Sequence, residues 1–216
     1  MRKKWHQSLL SLLMTFGTAC AWAQQGMGQI NINGQLVIAA RAGNVARTQA
    51  LLGEGAAVNS RDRNGDSPLN MAASKAQSEL LTVLLNAGAD PNLANIAGVT
   101  PLMGAAFTGQ PDNVKKLLAA GADIRPLDRV NKNAATYAAA QGCVECLRLL
   151  VTAGTQVNEV LNNGLTILMW AAATGHEEAV VWLLENGADK SLKDNRGKTA
   201  QDMARELGHQ GTARLL

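Results

Sequence analysis

The sequence predicts an all-α repeat solenoid, an array of helix-turn-helix units with β-hairpin-like finger loops. Three observations predict it. First, a turn residue recurs at intervals of 33 positions, as Gly65, Gly98, Asn131, Gly164 and Gly197. Second, a residue suited to capping a helix follows each of them by two positions, and a small pair such as Ala-Ala lies farther along the same helix. Third, each unit closes on a Gly-Ala or Gly-Thr pair. A fixed period of this length, made of one turn and two helices, is typical of a stacked array.

The unit over residues 98–123 shows why the two helices form. Thr100 is a good N-cap, and Pro101 occupies the first helical position, where its missing N–H costs nothing. Gly109 is expected to end the first helix and Gly121 the second. Apolar residues recur at helical spacing along both helices: they are Leu102, Ala105, Ala106, Val114, Leu117 and Leu118.

The period divides the chain into a leader, a lead-in, and a run of repeats between two caps. The predicted segments are a signal peptide (1–23), a polar lead-in (24–33), an N-terminal cap (34–61), repeats 62–94, 95–127, 128–160 and 161–193, and a C-terminal cap (194–216). Terminal units need a polar outer face, and the last unit is the more polar one. The repeat 128–160 departs most, with Asn131 in place of Gly and Ala134 in place of Pro, and is predicted to be the weakest interior repeat.

The first 23 residues are typical of a secretory signal peptide. A positive start, Arg2-Lys3-Lys4, precedes a short apolar run, and Ala21-Trp22-Ala23 supplies the small residues of a cleavage site. An uncleaved anchor and a lipoprotein attached at Cys20 are the alternatives. We expect cleavage after Ala23 and a periplasmic mature chain, with secretion from the cell as the less favoured destination.

Charge and composition narrow the choice of partner. The leader holds three of the 20 basic residues, which leaves 17 in the mature chain against 17 acidic residues. A chain without net charge is a poor general binder of nucleic acid or of anionic membranes, which need a basic surplus. The expected partner is therefore a protein, with no nucleic acid and no membrane contact after signal cleavage, and the chain is expected to be a monomer.

The repeats resemble the ankyrin repeat family. The resemblance rests on Thr100-Pro101-Leu102 and on the Gly-Ala-Asp runs that begin at 88, 121 and 187, and it covers about residues 31–216. It implies a non-catalytic array without a cofactor that binds partners through a concave face of finger turns and first helices. Family members usually carry a His after the Thr-Pro-Leu triplet, whereas this chain places other residues there: Asn70, Met103, Thr136 and Met169.

The resemblance also indicates which positions read the partner, namely those beside the turn glycine and at the end of the first helix. The candidates are Arg63, Asn64, Asp66, Lys75, Ile96, Val99, Phe107, Arg129, Lys132 and Leu165. Three of these, Ile96, Val99 and Phe107, are apolar where solvated residues are expected, so they are predicted to anchor a partner. Arg63, Arg129 and Lys132 would form a polar rim. The alternative is that the apolar side chains fold back onto neighbouring fingers.

Reactive side chains are few. Cys143, His176 and His209 occupy one repeat position in successive units, which stack at about 8–10 Å, whereas zinc ligands lie about 2.0–2.3 Å from one ion. We therefore expect no metal site. Cys143 and Cys146 form a Cys-x-x-Cys whose interpretations are a local disulfide, two packed thiols or a redox pair.

The predicted function is a non-catalytic protein-interaction module, or scaffold, in the cell envelope. A thiol-redox module that uses Cys143 and Cys146, and a secreted effector that binds a host protein, remain the alternatives. Trp170 and Trp182 lie on the two helices of one repeat at positions that are expected to face the core rather than a ligand.

Overall fold

A computed structural model describes residues 32–216, so the predicted signal peptide and most of the lead-in lie outside the described residues. Within this range the chain forms helices and turns without strands, as an all-α repeat solenoid requires. The helices are α1 (32–41), α2 (Val45–Gly53), α3 (Pro68–Ser74), α4 (Ser78–Asn86), α5 (Pro101–Phe107), α6 (Pro111–Ala119), α7 (Ala134–Gln141), α8 (Val144–Thr152), α9 (Ile167–Ala173), α10 (Glu177–Glu185), α11 (Ala200–Glu206) and α12 (Gln210–Leu215). None of the helices in residues 32–216 is long and apolar enough to cross a membrane.

The helices stack in two layers. The first helices of successive repeats, α3, α5, α7, α9 and α11, pack in series, and the second helices from α2 to α12 form the other layer. One apolar core runs through the array from Val37 to Leu216, and a small cluster around Leu36 and Leu51 completes it at the N-terminal end. The buried Ala-Ala pairs of the first helices allow this close stacking without large aromatic side chains.

Each complete first helix begins directly after the residue that the sequence predicts as its N-cap. The side chains of these caps accept a hydrogen bond from the backbone N–H three residues later, and the caps are Ser67, Thr100, Asn133, Thr166 and Thr199. A cap of this type contributes about 1 kcal/mol to stability. Because Asn133 caps as well as the others, α7 begins at Ala134 although the proline is absent there.

The N-terminal unit begins earlier than predicted. Residues 32 and 33, assigned above to the polar lead-in, are already helical. Ile32 packs against the small cluster that contains Leu36 and Leu51, so the first turn of α1 has an apolar contact to hold it.

The finger turns repeat one hydrogen-bond pattern and are tied to one another. In the finger of repeat 128–160, for example, the N–H of Asp128 donates to the carbonyl of Lys132. Asn131 takes the left-handed conformation there, at φ 59°, which asparagine tolerates better than most residues. Backbone bonds of 2.9 Å from Ile96 N to Asn64 O, and from Arg129 N to Ala97 O, link the first three fingers.

Candidate functional site

The finger turns and the first helices form one side of the array, which we call the finger face. Most of the predicted partner-reading residues are exposed on it: Arg63, Asn64, Lys75, Ile96, Phe107 and Arg129. The other four are half-buried: Asp66, Val99, Lys132 and Leu165.

The three residues of the predicted apolar anchor have different surroundings. Ile96 is 53% exposed but sits on the preceding finger, where a Cβ atom at Gly65 would lie 3.1 Å from Ile96 Cγ1. Val99 is half-buried against the core, and its carbonyl accepts a hydrogen bond from Asn70 Nδ2 at 3.1 Å. Phe107 is 57% exposed and is the most prominent apolar side chain of the three. The bond from Asn70 also connects one repeat to the next at a position where the family usually has histidine.

Phe107 belongs to a row of three aromatic residues, which we call the aromatic strip: Phe107 on α5, Tyr137 on α7 and Trp170 on α9. The rings of Phe107 and Tyr137 meet edge to face, with centroids 5.8 Å apart. Trp170 is half-buried on the finger face rather than enclosed in the core as predicted, because it lies at the same position of its helix as Tyr137. Trp182, by contrast, is buried as expected.

Lys132 lies over the aromatic strip instead of at its rim. Its Nζ atom is 4.0 Å from the centroid of the Trp170 ring and 5.4 Å from that of Tyr137. An ammonium within about 6 Å of a ring face is attracted by the negative charge of the π-electrons. The predicted rim residue therefore supplies a positive charge over the Tyr137 and Trp170 end of the strip.

A buried carboxylate fixes Tyr137 and the finger of Lys132 in place. Asp128 Oδ1 accepts hydrogen bonds from the N–H groups of Val130 and Lys132, both at 2.9 Å, and Oδ2 accepts a hydrogen bond from the hydroxyl of Tyr137. Burial, and then the hydrogen bond to Asp128, raise the pKa of Tyr137 well above its usual value. Tyr137 is therefore a neutral, oriented platform at neutral pH.

A small cavity lies next to Trp170, between α9, α11 and the last two fingers. Its volume is about 210 Å³. Most of the side chains that line it are apolar: Leu165, Met169, Trp170, Ala173, Met203 and Leu207, with Arg196 and Glu206 at its edge. Both charged residues are engaged in ion pairs, Arg196 with Asp194 and Glu206 with Lys198. The cavity therefore offers an apolar lining without a free charge.

The cysteines form a disulfide at the start of α8. Cys146 is fully buried, whereas Cys143 is half-buried and its Sγ accepts a hydrogen bond from the N–H of Cys146 at 3.2 Å. Only one of the two sulfur atoms therefore lies near the surface.

The histidines pack locally. His176 Nε2 lies 2.9 Å from the carbonyl of Ala140, and its ring rests on Gly142, where a Cβ atom would clash with it. His209 rests on Gly175 in the same way. No cluster of three metal-ligating side chains occurs in the part of the chain that the structure describes.

Tyr137, Trp170 and Asp128 are functional candidates that the sequence interpretation missed. A signal was available, because Gly104, Tyr137 and Trp170 stand 33 residues apart and so meet on adjacent first helices. A comparison of equivalent positions in successive repeats, rather than of residues within one repeat, predicts that Tyr137 and Trp170 lie side by side.

Comparison with known proteins gives one family and a close fold relative. The family model described as ankyrin repeats (3 copies) matches residues 36–128, 102–194 and 135–216. The curated proteins contain no match to the chain. Among solved structures, the chain is similar to the crystal structure of EF0377, an ankyrin repeat protein, with a TM-score of 0.75 and 29% sequence identity. The similarity covers 84% of this chain and 96% of that one.

Proposed function

The chain belongs to the ankyrin repeat family, whose members generally bind proteins, and from that premise we propose that it binds a partner protein through the finger face. The observation that carries the proposal is the aromatic strip, where Phe107 is 57% exposed beside Tyr137 and Trp170. Aromatic residues are enriched among those that dominate binding energy at protein interfaces.

The proposed role is that of a non-catalytic scaffold. Support comes from the structural use of the side chains that are best suited to catalysis. His176 and His209 pack on glycines of the preceding repeats, and Cys143 and Cys146 are joined to each other. A nucleophile needs a base within hydrogen-bond reach, and these groups have other partners.

A capture experiment tests the binding face. The mature chain, a Phe107→Ser variant and a Val181→Ser variant are immobilised and incubated with an envelope extract. Val181 is an exposed apolar residue on α10, in the layer of second helices, and so serves as the matched control. We expect the partner to be retained by the parent chain and by Val181→Ser but lost from Phe107→Ser. Equal retention by all three chains would remove the finger face from the proposal.

The proposed location is the periplasm. The leader-like residues 1–23 support export, and the disulfide suits an oxidising compartment. N-terminal sequencing of the protein released from the periplasm should give Gln24 as the first residue. A retained leader, or a mature chain that begins with a lipid-modified Cys20, would contradict this location, and recovery from the culture medium would favour the secreted effector.

The disulfide also supports a second candidate function, thiol–disulfide exchange through Cys143, the more accessible of its two sulfur atoms. Exchange requires a thiolate to attack an accessible sulfur. Incubation of the mature chain with a reduced dithiol peptide, in parallel with a Cys143→Ser variant, measures it. We expect no catalysed oxidation of the peptide; a rate that depends on Cys143 would establish the redox function.

A further inference from the structure

The finger face carries a positive charge that its own acids do not balance. Within residues 32–216, Arg63, Lys75, Arg129 and Lys132 take part in no ion pair. Two acids near these residues also form no ion pair within this range: Asp66 accepts a hydrogen bond from Asn95, and Glu159 accepts one from Asn133, the neighbour of Lys132. The buried Asp128 is occupied by its own finger and by Tyr137, as described above.

One helix of the other layer, α10, carries charge of the opposite sign. On α10, three exposed glutamates form no ion pair with any described residue: Glu177, Glu178 and Glu185. Unpaired positive charge on the finger face and unpaired negative charge on α10 thus lie on different sides of the array, although the predicted mature chain has no net charge. Complementary charge steers partners and selects among them more than it adds affinity.

The volume of the cavity beside Trp170 limits the size of the ligand group that it can hold. Its volume of about 210 Å³ is below the roughly 300–1,000 Å³ of sites that enclose small molecules. It suits one apolar side chain of a longer ligand, and its charged edge residues are already neutralised in ion pairs. Trp170 lines this cavity and also lies under Lys132. One aromatic ring therefore borders both the apolar cavity and a positive charge.

From this arrangement we propose that the partner presents an extended acidic segment, with one aromatic or long aliphatic side chain in the cavity and a carboxylate beside Lys132. An extended chain advances about 3.3 Å per residue. Because the Trp170 ring borders the cavity and lies 4.0 Å from Lys132 Nζ, the acid next to Lys132 is expected within about three residues of the apolar anchor. Further acids reach toward Arg129 on the same finger as Lys132, and toward Arg63 two fingers before it. This inference rests on the proposed function and names the chemistry of the partner.

Selection from a displayed library tests the proposal. Random peptides of about twelve residues are selected on the mature chain. At about 3.3 Å per residue, an extended peptide of this length is long enough to cross three repeats. We expect enriched peptides that are rich in Asp and Glu and that carry an aromatic or aliphatic residue within three positions of an acid. Enrichment of basic or uncharged peptides, or no enrichment, would overturn the proposal.

Matched variants locate the binding of the best enriched peptide. Lys132→Gln and Arg129→Gln should each weaken it, the former by about fivefold or more, because each removes a complementary charge. Lys115→Gln removes the same charge from α6 in the other layer and should leave the affinity unchanged. Ala173→Met, which fills the cavity, should weaken peptides with a large anchor more than peptides whose anchor is Ala. Thermal unfolding of each variant checks that the fold is kept. Equal affinities for Lys132→Gln and Lys115→Gln would contradict the proposed segment.

Two outcomes separate this inference from the proposed function. A natural partner that depends on Phe107 but is indifferent to Lys132→Gln would sustain the finger face as a binding site and reject the acidic segment. An oligothymidylate of matched charge that binds as tightly as the best peptide would reject a protein segment as the preferred ligand. An affinity for the peptide that exceeds that for the oligothymidylate supports the proposal.

Discussion

The loops that follow the second helices join successive repeats differently along the array. At three junctions an asparagine bridges to the next loop: Asn59, Asn92 and Asn158 accept hydrogen bonds from the N–H groups of Asp90, Asp123 and Asp189, at 2.7–3.0 Å. Asn92 and Asn158 also donate, to the carbonyls of Gly121 and Gly187. At the junction between repeats 95–127 and 128–160, the equivalent residue is Arg125, which turns away to pair with Asp123 at 2.9 Å.

Without this asparagine, the N–H that it would bind has no partner in the neighbouring loop. The N–H of Gln156, which corresponds to those of Asp90 and Asp123, donates to no described residue. A groove of about 850 Å³, with Arg125, Gln156 and Asn158 among its lining residues, lies at this place. Arg125 lowers the pKa of Asp123 through its side-chain hydrogen bond, but an exposed pair of this kind contributes little to stability.

The finger side of the same junction is well connected. Arg129 N bonds to Ala97 O, and Gly98 lies so close to Asp128 that a Cβ atom at Gly98 would be 3.1 Å from Asp128 Cα. The stability of a repeat array is the sum of the stabilities of its repeats and of the interfaces between neighbours. The junction between repeats 95–127 and 128–160 is bonded on its finger side but lacks the asparagine bridge on the other side. It is therefore the expected place for the array to open locally.

The largest effect is expected when the connected edge of this junction is disturbed. Gly98→Ala places a side chain at φ +81° and against Asp128. The backbone cost is about 1–2 kcal/mol, and the crowding adds about 1 kcal/mol or more. Gly197→Ala, at φ +76° with nothing within 4 Å, carries the backbone cost alone. Urea unfolding should show the larger loss for Gly98→Ala. Equal losses would mean that the contact with Asp128 is not a source of stability.

The next effect is expected from breaking a bridge that the irregular junction lacks. Asn92→Ala removes two hydrogen bonds to the next loop, each contributing about 0.5–1.5 kcal/mol. We expect the free energy of unfolding to fall by about 1–2 kcal/mol. Arg125→Ala, at the equivalent position of the next repeat, is the matched control and should change stability by less than about 1 kcal/mol. A loss for Arg125→Ala as large as that for Asn92→Ala would end the distinction between the two junctions.

These differences were only partly readable from the sequence. The 33-residue period, the caps and the turn glycines predicted the helices because they depend on local chemistry that each repeat carries by itself. The asparagine column of Asn59, Asn92 and Asn158 was present in the sequence as well, with Arg125 as its exception. Its role emerges only when neighbouring repeats are stacked.

The candidate site was less predictable than the fold for the same reason. Phe107, Arg63 and Arg129 could be placed on the surface from the pattern of one repeat. The position of Lys132 over Trp170 depends on a finger and on the first helix of the next repeat, so no single repeat contains it.

The missing bridge can be restored by one substitution. Arg125→Asn returns the column to asparagine and is expected to supply an acceptor for the N–H of Gln156. We expect a gain of about 1 kcal/mol, since one or two new hydrogen bonds outweigh the loss of an exposed ion pair. Hydrogen exchange should slow at the amide of Gln156 and remain unchanged at that of Asp189, which is already bonded to Asn158. Unaltered exchange at Gln156 would show that the loop does not close on the new asparagine.

The smallest effect is expected at the finger of the irregular repeat. Asn131→Gly would relieve the left-handed conformation at φ 59°. Against this, glycine loses more backbone freedom on folding, by roughly 0.5–1 kcal/mol, and the weak bond from Asn162 Nδ2 to Asn131 Oδ1, at 3.3 Å, disappears. These terms nearly cancel, so the free energy of unfolding should change by less than about 0.5 kcal/mol. A clear increase in the free energy of unfolding, measured in urea, would show that the finger is the weak part of repeat 128–160. A change near zero, beside a gain for Arg125→Asn, would place it in the loop that lacks the asparagine.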